Sequence, residues 1–430
     1  MAQHLFRYES GAGGDLRRVF RGPVHLPGDD GYDGQRASLD PAFEARPVVI
    51  AEATGPADVR AAVSWARVRD LPIAVQATGH GTHVPSDGGL LLRTARMATV
   101  LVDPDRRMAK VGAGAVWRDV LAAAAPFGLA PVSGSAPTVG VAGFTLGGGL
   151  GSLSRRYGFG ADNLLRANVV TAAGELVNAS PDRHPDLFWA LRGGGGNFGV
   201  ATALEIRLHP VAEVYAGQAL FPIERAADVL ARYRGWAPTM PDELTCTVAL
   251  HGDTMAIRAT YAGQPHASAA AARRALRPLW QVAGRPLADT FARPGCPQAA
   301  VSGIVPSTAP RAFDLFRALP DELIDTALAV AGQARAVEVR HWGGAMARPA
   351  PGAGPAGHRD IPFSITVDGP AESAEPLWRH ATGGSFLNFL HDPTAVETAY
   401  PAADYQRLRE VKAAYDPTNV FHRNLNIPPA

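Results

Sequence analysis

The residues of this chain best suited to chemistry lie in two glycine-rich segments. The first, Ala77-Thr78-Gly79-His80-Gly81-Thr82, sets a single histidine between two glycines; the second runs Gly134-Ser135-Ala136-Pro137-Thr138-Val139-Gly140-Val141-Ala142-Gly143-Phe144-Thr145-Leu146-Gly147-Gly148-Gly149-Leu150-Gly151. Residues without a Cβ let the backbone take positive φ and approach a ligand closely, so that consecutive N–H groups can point at one anionic group. Two such loops predict an extended, phosphate-bearing cofactor, with the His80 ring in reach of whatever the backbone holds. Ordinary tight turns explain one such loop better than several.

Other chemistries fit less well. Gly147-Gly148-Gly149-Leu150-Gly151 lacks the strand-to-helix setting and the downstream acid of an NAD-binding fold. His80, His83 and Asp87 have a spacing that a metal could use, but they would have to fold back across a glycine loop with no helix to align them, so no metal is expected. A Gly-x-Ser-x-Gly elbow, the mark of many hydrolases, does not occur.

Composition narrows the field further. At 430 residues the chain has room for two domains, and 47% hydrophobic with 19% charged residues is the profile of a globular protein. Lys plus Arg number 41 against 40 Asp plus Glu, a balance that gives no reason to expect a nucleic-acid partner. The polar N-terminus lacks the apolar core of a signal peptide, and no apolar run is long enough to span a bilayer, so no membrane partner is expected. Two cysteines, Cys246 and Cys296, read as buried apolar thiols and make a reducing cytoplasm the expected compartment.

The elements that would position the loops can be read in turn. Val59, Val63 and Ala66 recur at helical spacing behind Pro56, and Leu71 to Val75 reads as a strand that delivers the chain into the His80 loop. Leu90 to Leu92 leaves that loop; Val111 to Ala115 reads as a strand and Trp117 to Ala125 as a helix ended by Pro126 and Gly128. Asn168 to Val177 has the form of a hairpin, and a third glycine loop, Arg192 to Val200, leads into the strand Ala203 to Leu208. Beyond Pro210 the glycine loops cease. Strands at Thr245 to Leu250 and Met255 to Tyr261, then an Ala/Arg helix from His266 to Leu276, predict a separate α+β domain, and a last helix from Tyr405 to Lys412 must end before Asp416-Pro417.

The segments Gly79-His80-Gly81, Pro137-Thr138-Val139-Gly140, Gly147 to Gly151, Asp162-Asn163, Asp186-Leu187-Phe188-Trp189-Ala190-Leu191-Arg192-Gly193-Gly194-Gly195 and Asp416-Pro417-Thr418-Asn419-Val420-Phe421 resemble the berberine bridge enzyme and hydroxynicotine oxidase branch of the vanillyl alcohol oxidase flavoproteins. The likeness covers nearly the whole chain, in the family's order. It implies FAD, bonded covalently through His80 to the flavin 8α-methyl group. Ala136 stands where many members carry a second, cysteinyl link, which implies one link rather than two. Val139 falls at the family's oxygen gate and is of the small kind associated with oxidases. The resemblance places the cofactor against Gln76, Ala77, Thr78, Gly79, Gly81 and Thr82, against Ala136, Thr138, Val139, Gly140 and Gly143, against Gly148, Gly149 and Leu150, and against Gly199, Val200, Asn388, Asn424 and Asn426.

Departures from the family also matter. Arg93-Thr94 replaces a common Asp-Leu pair, and Tyr400-Pro401 replaces Tyr-Tyr-Gly. Val337 to Gly344 resembles the substrate-domain strand that carries a catalytic glutamate, but Arg340 falls at that position. Glu338, two residues away on the same strand face, is a candidate base, as are His341 and Tyr400; a surface glutamate on a sheet edge is the plain alternative for Glu338. The implied architecture is an α+β, two-lobed FAD-binding domain from residues 1–210 and 385–430, with an α+β substrate domain of residues 211–384 inserted. The implied activity is oxidation of a small organic substrate by hydride transfer from a C–H next to O or N to the flavin, with O2 as acceptor. A dehydrogenase or cyclase that does not use O2, and a non-catalytic flavin-binding protein, are the alternatives.

Overall fold

The computed structural model describes residues 11–39, 43–263, 268–291 and 311–430. Cys296 and His266 lie outside them. Three sheets carry the architecture. The first follows from short apolar runs: β1 (Val24–His25), β2 (Val49–Glu52), β3 (Ile73–Gln76) and β4 (Leu90–Arg93), in the order β1-β2-β4-β3 with β2 and β3 parallel to β4. The helix Pro56–Val68 lays Val59, Ala62, Val63 and Ala66, none of them exposed, against this sheet. The apolar spacing at the sequence level is therefore the packing face.

The chain then passes through β5 (Val100–Asp103), β6 (Met108–Gly112), the short β7 (Leu129–Ala130), β8 (Leu164–Val170), β9 (Leu176–Ala179), β10 (Val200–Arg207) and β11 (His209–Pro210). Five of these strands make an antiparallel sheet in the order β5-β6-β10-β8-β9. The β6 strand ends earlier than expected, at Gly112. A Cβ on Gly112 or Gly114 would run into the Met97 or Thr94 carbonyl, so Ala113 to Ala115 turn away through an Ala115 N–H to Gly112 O bond instead of extending the ladder. The second glycine segment folds over the sheet as the short helix Val141–Leu146, with Phe144 edge-on to Trp117 at 5.1 Å.

The third sheet has seven strands: β12 (Tyr215–Pro222), β13 (Leu244–His251), β14 (Thr254–Tyr261), β15 (Ala288–Asp289), β16 (Arg311–Phe316), β17 (Ala336–His341) and β18 (Phe363–Asp368), in the order β15-β12-β14-β13-β17-β18-β16. One face carries Val248, Ile257, Val337, Val339, Ile365 and Val367 into a core closed by Val229, Leu276, Leu323 and Leu377 of four helices. The period of two then sends every second residue of those strands to the opposite face.

Two buried charged groups fasten distant parts of the chain together. Arg155, from the turn after the second glycine segment, reaches into the seven-stranded sheet and donates from Nε to Leu244 O at 2.8 Å, from Nη2 to Met240 O at 3.2 Å and from Nη1 to Trp342 O. The C-terminal helix Ala402–Tyr415 stops before Asp416-Pro417, where Lys412 Nζ donates to Asp416 Oδ2 at 2.6 Å and to Asn197 O at 2.8 Å. Asp416 in turn accepts the Val420 and Phe421 N–H groups. This ties the tail to the third glycine loop.

Candidate active site

A cavity of about 1170 Å³ opens between the glycine loops and the polar face of the seven-stranded sheet. It exceeds the roughly 300–1,000 Å³ usual for a small-molecule site, which leaves room for a dinucleotide-sized cofactor together with a substrate. From the first loop, Gln76, Ala77, Thr78, Gly79, His80, Gly81 and Thr82 line it. The second supplies Ala136, Val139, Gly140, Gly143 and Leu150, and the third Gly199 and Val200; Asn388 and Asn424 complete that wall. A Cβ placed on Gly81, Gly143 or Gly196 would meet no protein atom within 4 Å. Bare backbone facing open space on three loops is the form that close approach of a cofactor requires, and these residues fit FAD.

Four expected contacts are placed differently. Gly148 packs under the Phe386 ring and Gly149 donates its N–H to Asn388 Oδ1 at 2.7 Å, so both lie behind the wall they were expected to form. Thr138 also stands off the wall, with its Oγ1 3.3 Å from His80 Nε2. Asn426 is not part of the lining, and its buried Oδ1 has no partner among the described residues. Asn424, at φ 141°, accepts the His83 N–H and donates to Gly81 O at 2.7 Å, which pins the first loop to the tail.

His80 projects between two hydroxyls: Nδ1 lies 2.9 Å from Thr78 Oγ1 and Nε2 3.3 Å from Thr138 Oγ1. Burial lowers its pKa, which favours the neutral ring. On the opposite wall Glu338 sits at the centre of the sheet face. Arg340 Nη2 donates to its Oε1 at 2.6 Å and Arg258 Nη1 approaches Oε2 at 3.5 Å. Burial opposes the charge on Glu338, but Arg340 and Arg258 outweigh it and hold the carboxyl below the usual range.

The other two acid–base candidates are corrected. On β17, Ala336, Glu338 and Arg340 face the cavity, so His341 faces the core, where Nδ1 lies 2.8 Å from Arg155 Nη1 and its N–H donates to Tyr233 Oη. Burial and then Arg155 push its pKa down to about 3. Tyr400 is buried under the third loop and donates from Oη to Gly193 O at 2.9 Å, with burial raising its pKa. Neither reaches the cavity. Conversely, Arg258, Arg311, Phe313, Phe389 and His391 line it without having been expected. The alternation along β14, β16 and β17 was the available signal, but it does not tell which face of a strand meets a ligand.

Comparison with known proteins gives the same picture. The model of the FAD binding domain matches residues 47–180, and that of the berberine and berberine-like proteins matches residues 385–428. A relative, (R)-6-hydroxynicotine oxidase of Paenarthrobacter nicotinovorans, is 36% identical over 224 residues; the match spans 52% of this chain and 46% of that protein, about half its length. A Bacillus subtilis FAD-linked oxidoreductase is 29% identical over 95% of this chain and 98% of its own. The crystal structure of 6-hydroxy-D-nicotine oxidase from Arthrobacter nicotinovorans superposes with a TM-score of 0.85 at 26% identity, over 96% of this chain and 98% of that one. Glucooligosaccharide oxidase from Acremonium strictum shares the fold, with a TM-score of 0.86 at 21% identity, over 97% of this chain and 99% of that one.

Fold and site together define an FAD-dependent oxidoreductase of the two-lobed α+β type. Residues 47–180 and 385–428 match the FAD binding domain and the berberine and berberine-like proteins, and together with the hydroxynicotine oxidase relative these matches support the vanillyl alcohol oxidase superfamily, in the branch of berberine bridge enzyme and hydroxynicotine oxidase. Among the described residues no helix is long and apolar enough to cross a membrane.

Proposed function

We propose that the protein is an oxidase with a single covalent link to FAD, which takes a hydride from a C–H bond next to oxygen or nitrogen of a small organic molecule and passes the electrons to O2. The observation that carries this is His80, its neutral ring favoured by burial and held between two threonine hydroxyls at the edge of a cavity whose far wall is a polar sheet face. The solved glucooligosaccharide oxidase is described with a 6-S-cysteinyl, 8α-N1-histidyl FAD. Here His80 supplies the histidyl partner, while Ala136 lines the cavity without a thiol. The cofactor supplies the hydride acceptor and the route to O2.

The chain's own residues bind, orient and move a proton. Gln76 to Thr82 and Ala136, Val139, Gly140 and Gly143 would hold the cofactor. Val139 keeps a short side chain on that wall. Glu338, the one acid–base candidate facing the cavity, stays ionised beside Arg340 and Arg258 and so stands ready to accept the substrate's O–H or N–H proton.

The test is an anaerobic screen of alkaloids, sugars, alcohols and polyketide intermediates for bleaching of the flavin band, followed by admission of air. The reading expects bleaching by members of one class and prompt recovery of colour with O2 consumed. Colour that returns only with an added dye would instead make the protein a dehydrogenase.

A further inference from the structure

The sheet face that closes the cavity is unlike the glycine wall in its charge. Arg258, Arg311, Arg335 and Arg340 all line the cavity, against only Glu338 and Asp368. Two of the four are committed. Arg335 is bound to Asp368 by Nη2 at 2.5 Å and Nε at 3.0 Å, and Arg258 spends its donors on Gln218, His251 and Glu338. Arg340 gives one nitrogen to Glu338, while its Nε is buried with no partner among the described residues. Among the described residues no group pairs with Arg311, and its field reaches both Glu338 and His391. His391 and His251 add no further positive charge, since burial lowers both of their pKa values and favours the neutral rings.

Cations turned into a cavity without matching acids are costly unless an anion meets them. The glycine loops with their N–H groups form the opposite wall, so this charge faces the substrate space. The neighbours of Arg311 define the rest of the ligand. Phe313, two residues on along β16 and so on the same face about 7 Å away, stacks on Phe389 with centroids 5.0 Å apart and planes 25° apart. Thr366 stands in register between Glu338 and Phe313 on the neighbouring strands.

We propose that the substrate is an organic acid, its carboxylate met by Arg311 and its apolar or aromatic body laid against Phe313 and Phe389. Arg340 stays with Glu338, four residues along and two strands across from Arg311 in the sheet register. The proposal rests on the oxidase reading for the fate of the ligand, but the binding itself does not depend on turnover.

The experiment uses the FAD-loaded enzyme and three probes of one shape: phenylacetate, phenylacetamide and phenyl phosphate. Each is titrated while the visible flavin spectrum is recorded. Phenylacetate should perturb the spectrum saturably and bind about 10- to 100-fold more tightly than phenylacetamide, the range expected for charge-assisted bonds. Arg311→Gln should weaken phenylacetate binding by a similar factor and leave the amide unchanged, with Arg311→Lys recovering part of the loss; an intact flavin spectrum in both variants shows that they are folded. Equal binding of acid and amide, an Arg311→Gln variant that binds the acid as the wild type does, or a preference for phenyl phosphate would overturn the carboxylate site. Bleaching by a neutral substrate would overturn it too while leaving the oxidase reading intact, and tight phenylacetate binding in a protein that no acid bleaches would do the reverse.

Discussion

The cavity has two walls built on opposite terms. The cofactor wall is backbone: glycines at Gly81, Gly143 and Gly196 open onto space, and side chains such as Asn388 and Asn424 work behind or beside it by holding loops together. The substrate wall is side chain: a regular sheet whose alternate residues project arginines, an acid and a phenylalanine. The first wall admits little variation, because a Cβ at Gly79, Gly147 or Gly199 would strike a neighbour and one at Gly81, Gly143 or Gly196 would stand in the open space. The second can change its chemistry at any outward position without disturbing the core residues between them. One fold can therefore keep one cofactor and take many substrates.

Substitutions on the substrate wall should alter chemistry and leave the cofactor in place, and Glu338 is where the effect is largest. With a substrate in hand, Glu338→Gln should slow flavin reduction by about two to four orders of magnitude while FAD content stays normal; stopped-flow spectra decide this. A wild-type rate would make Glu338 a holder of Arg340 alone. On the cofactor wall, Val139→Leu should slow reoxidation by O2 and leave reduction nearly untouched, and equal reoxidation rates would put the gate elsewhere.

A smaller effect separates His341 from the wall it was expected to join. Its folded pKa of about 3 lies below the ordinary 6.5, so the unfolded chain binds the extra proton and stability falls as the pH drops below 6.5. From pH 7 to pH 5 the wild type should lose about 2 kcal/mol through this group, a loss that His341→Asn escapes. Urea unfolding at the two pH values measures the difference. Smallest of all, Tyr400→Phe should cost about 1 kcal/mol through its lost bond to Gly193 O and leave the reduction rate unchanged.

The same contrast explains what could be read from the sequence. Glycine loops announce themselves because few residues can replace a glycine at positive φ, as at Gly79 with φ +82°, and His80 between two of them could hardly be missed. The helix Pro56–Val68 was also legible, since its apolar spacing is the packing face itself, and the hairpin of β8 and β9 was legible from the turn at Gly174. The limits lay in direction and distance. Glu338 and His341 look alike as candidates three residues apart, yet an odd offset on a strand puts them on opposite faces. Arg311 and Phe313 carry no such mark, because nothing local tells a strand residue turned to a ligand from one turned to water. Gly148 and Gly149 belong to a glycine run as rich as any other, and only their contacts with Phe386 and Asn388 set them behind the wall.

The claim on which both walls depend is that His80 holds FAD covalently and alone. Acid precipitation of the purified protein followed by tryptic mass spectrometry tests it directly. The pellet should stay yellow, and the peptide containing His80 should carry the mass of FAD with no flavin on any other peptide. Flavin released entirely into the supernatant, or found on a different residue, would contradict the account.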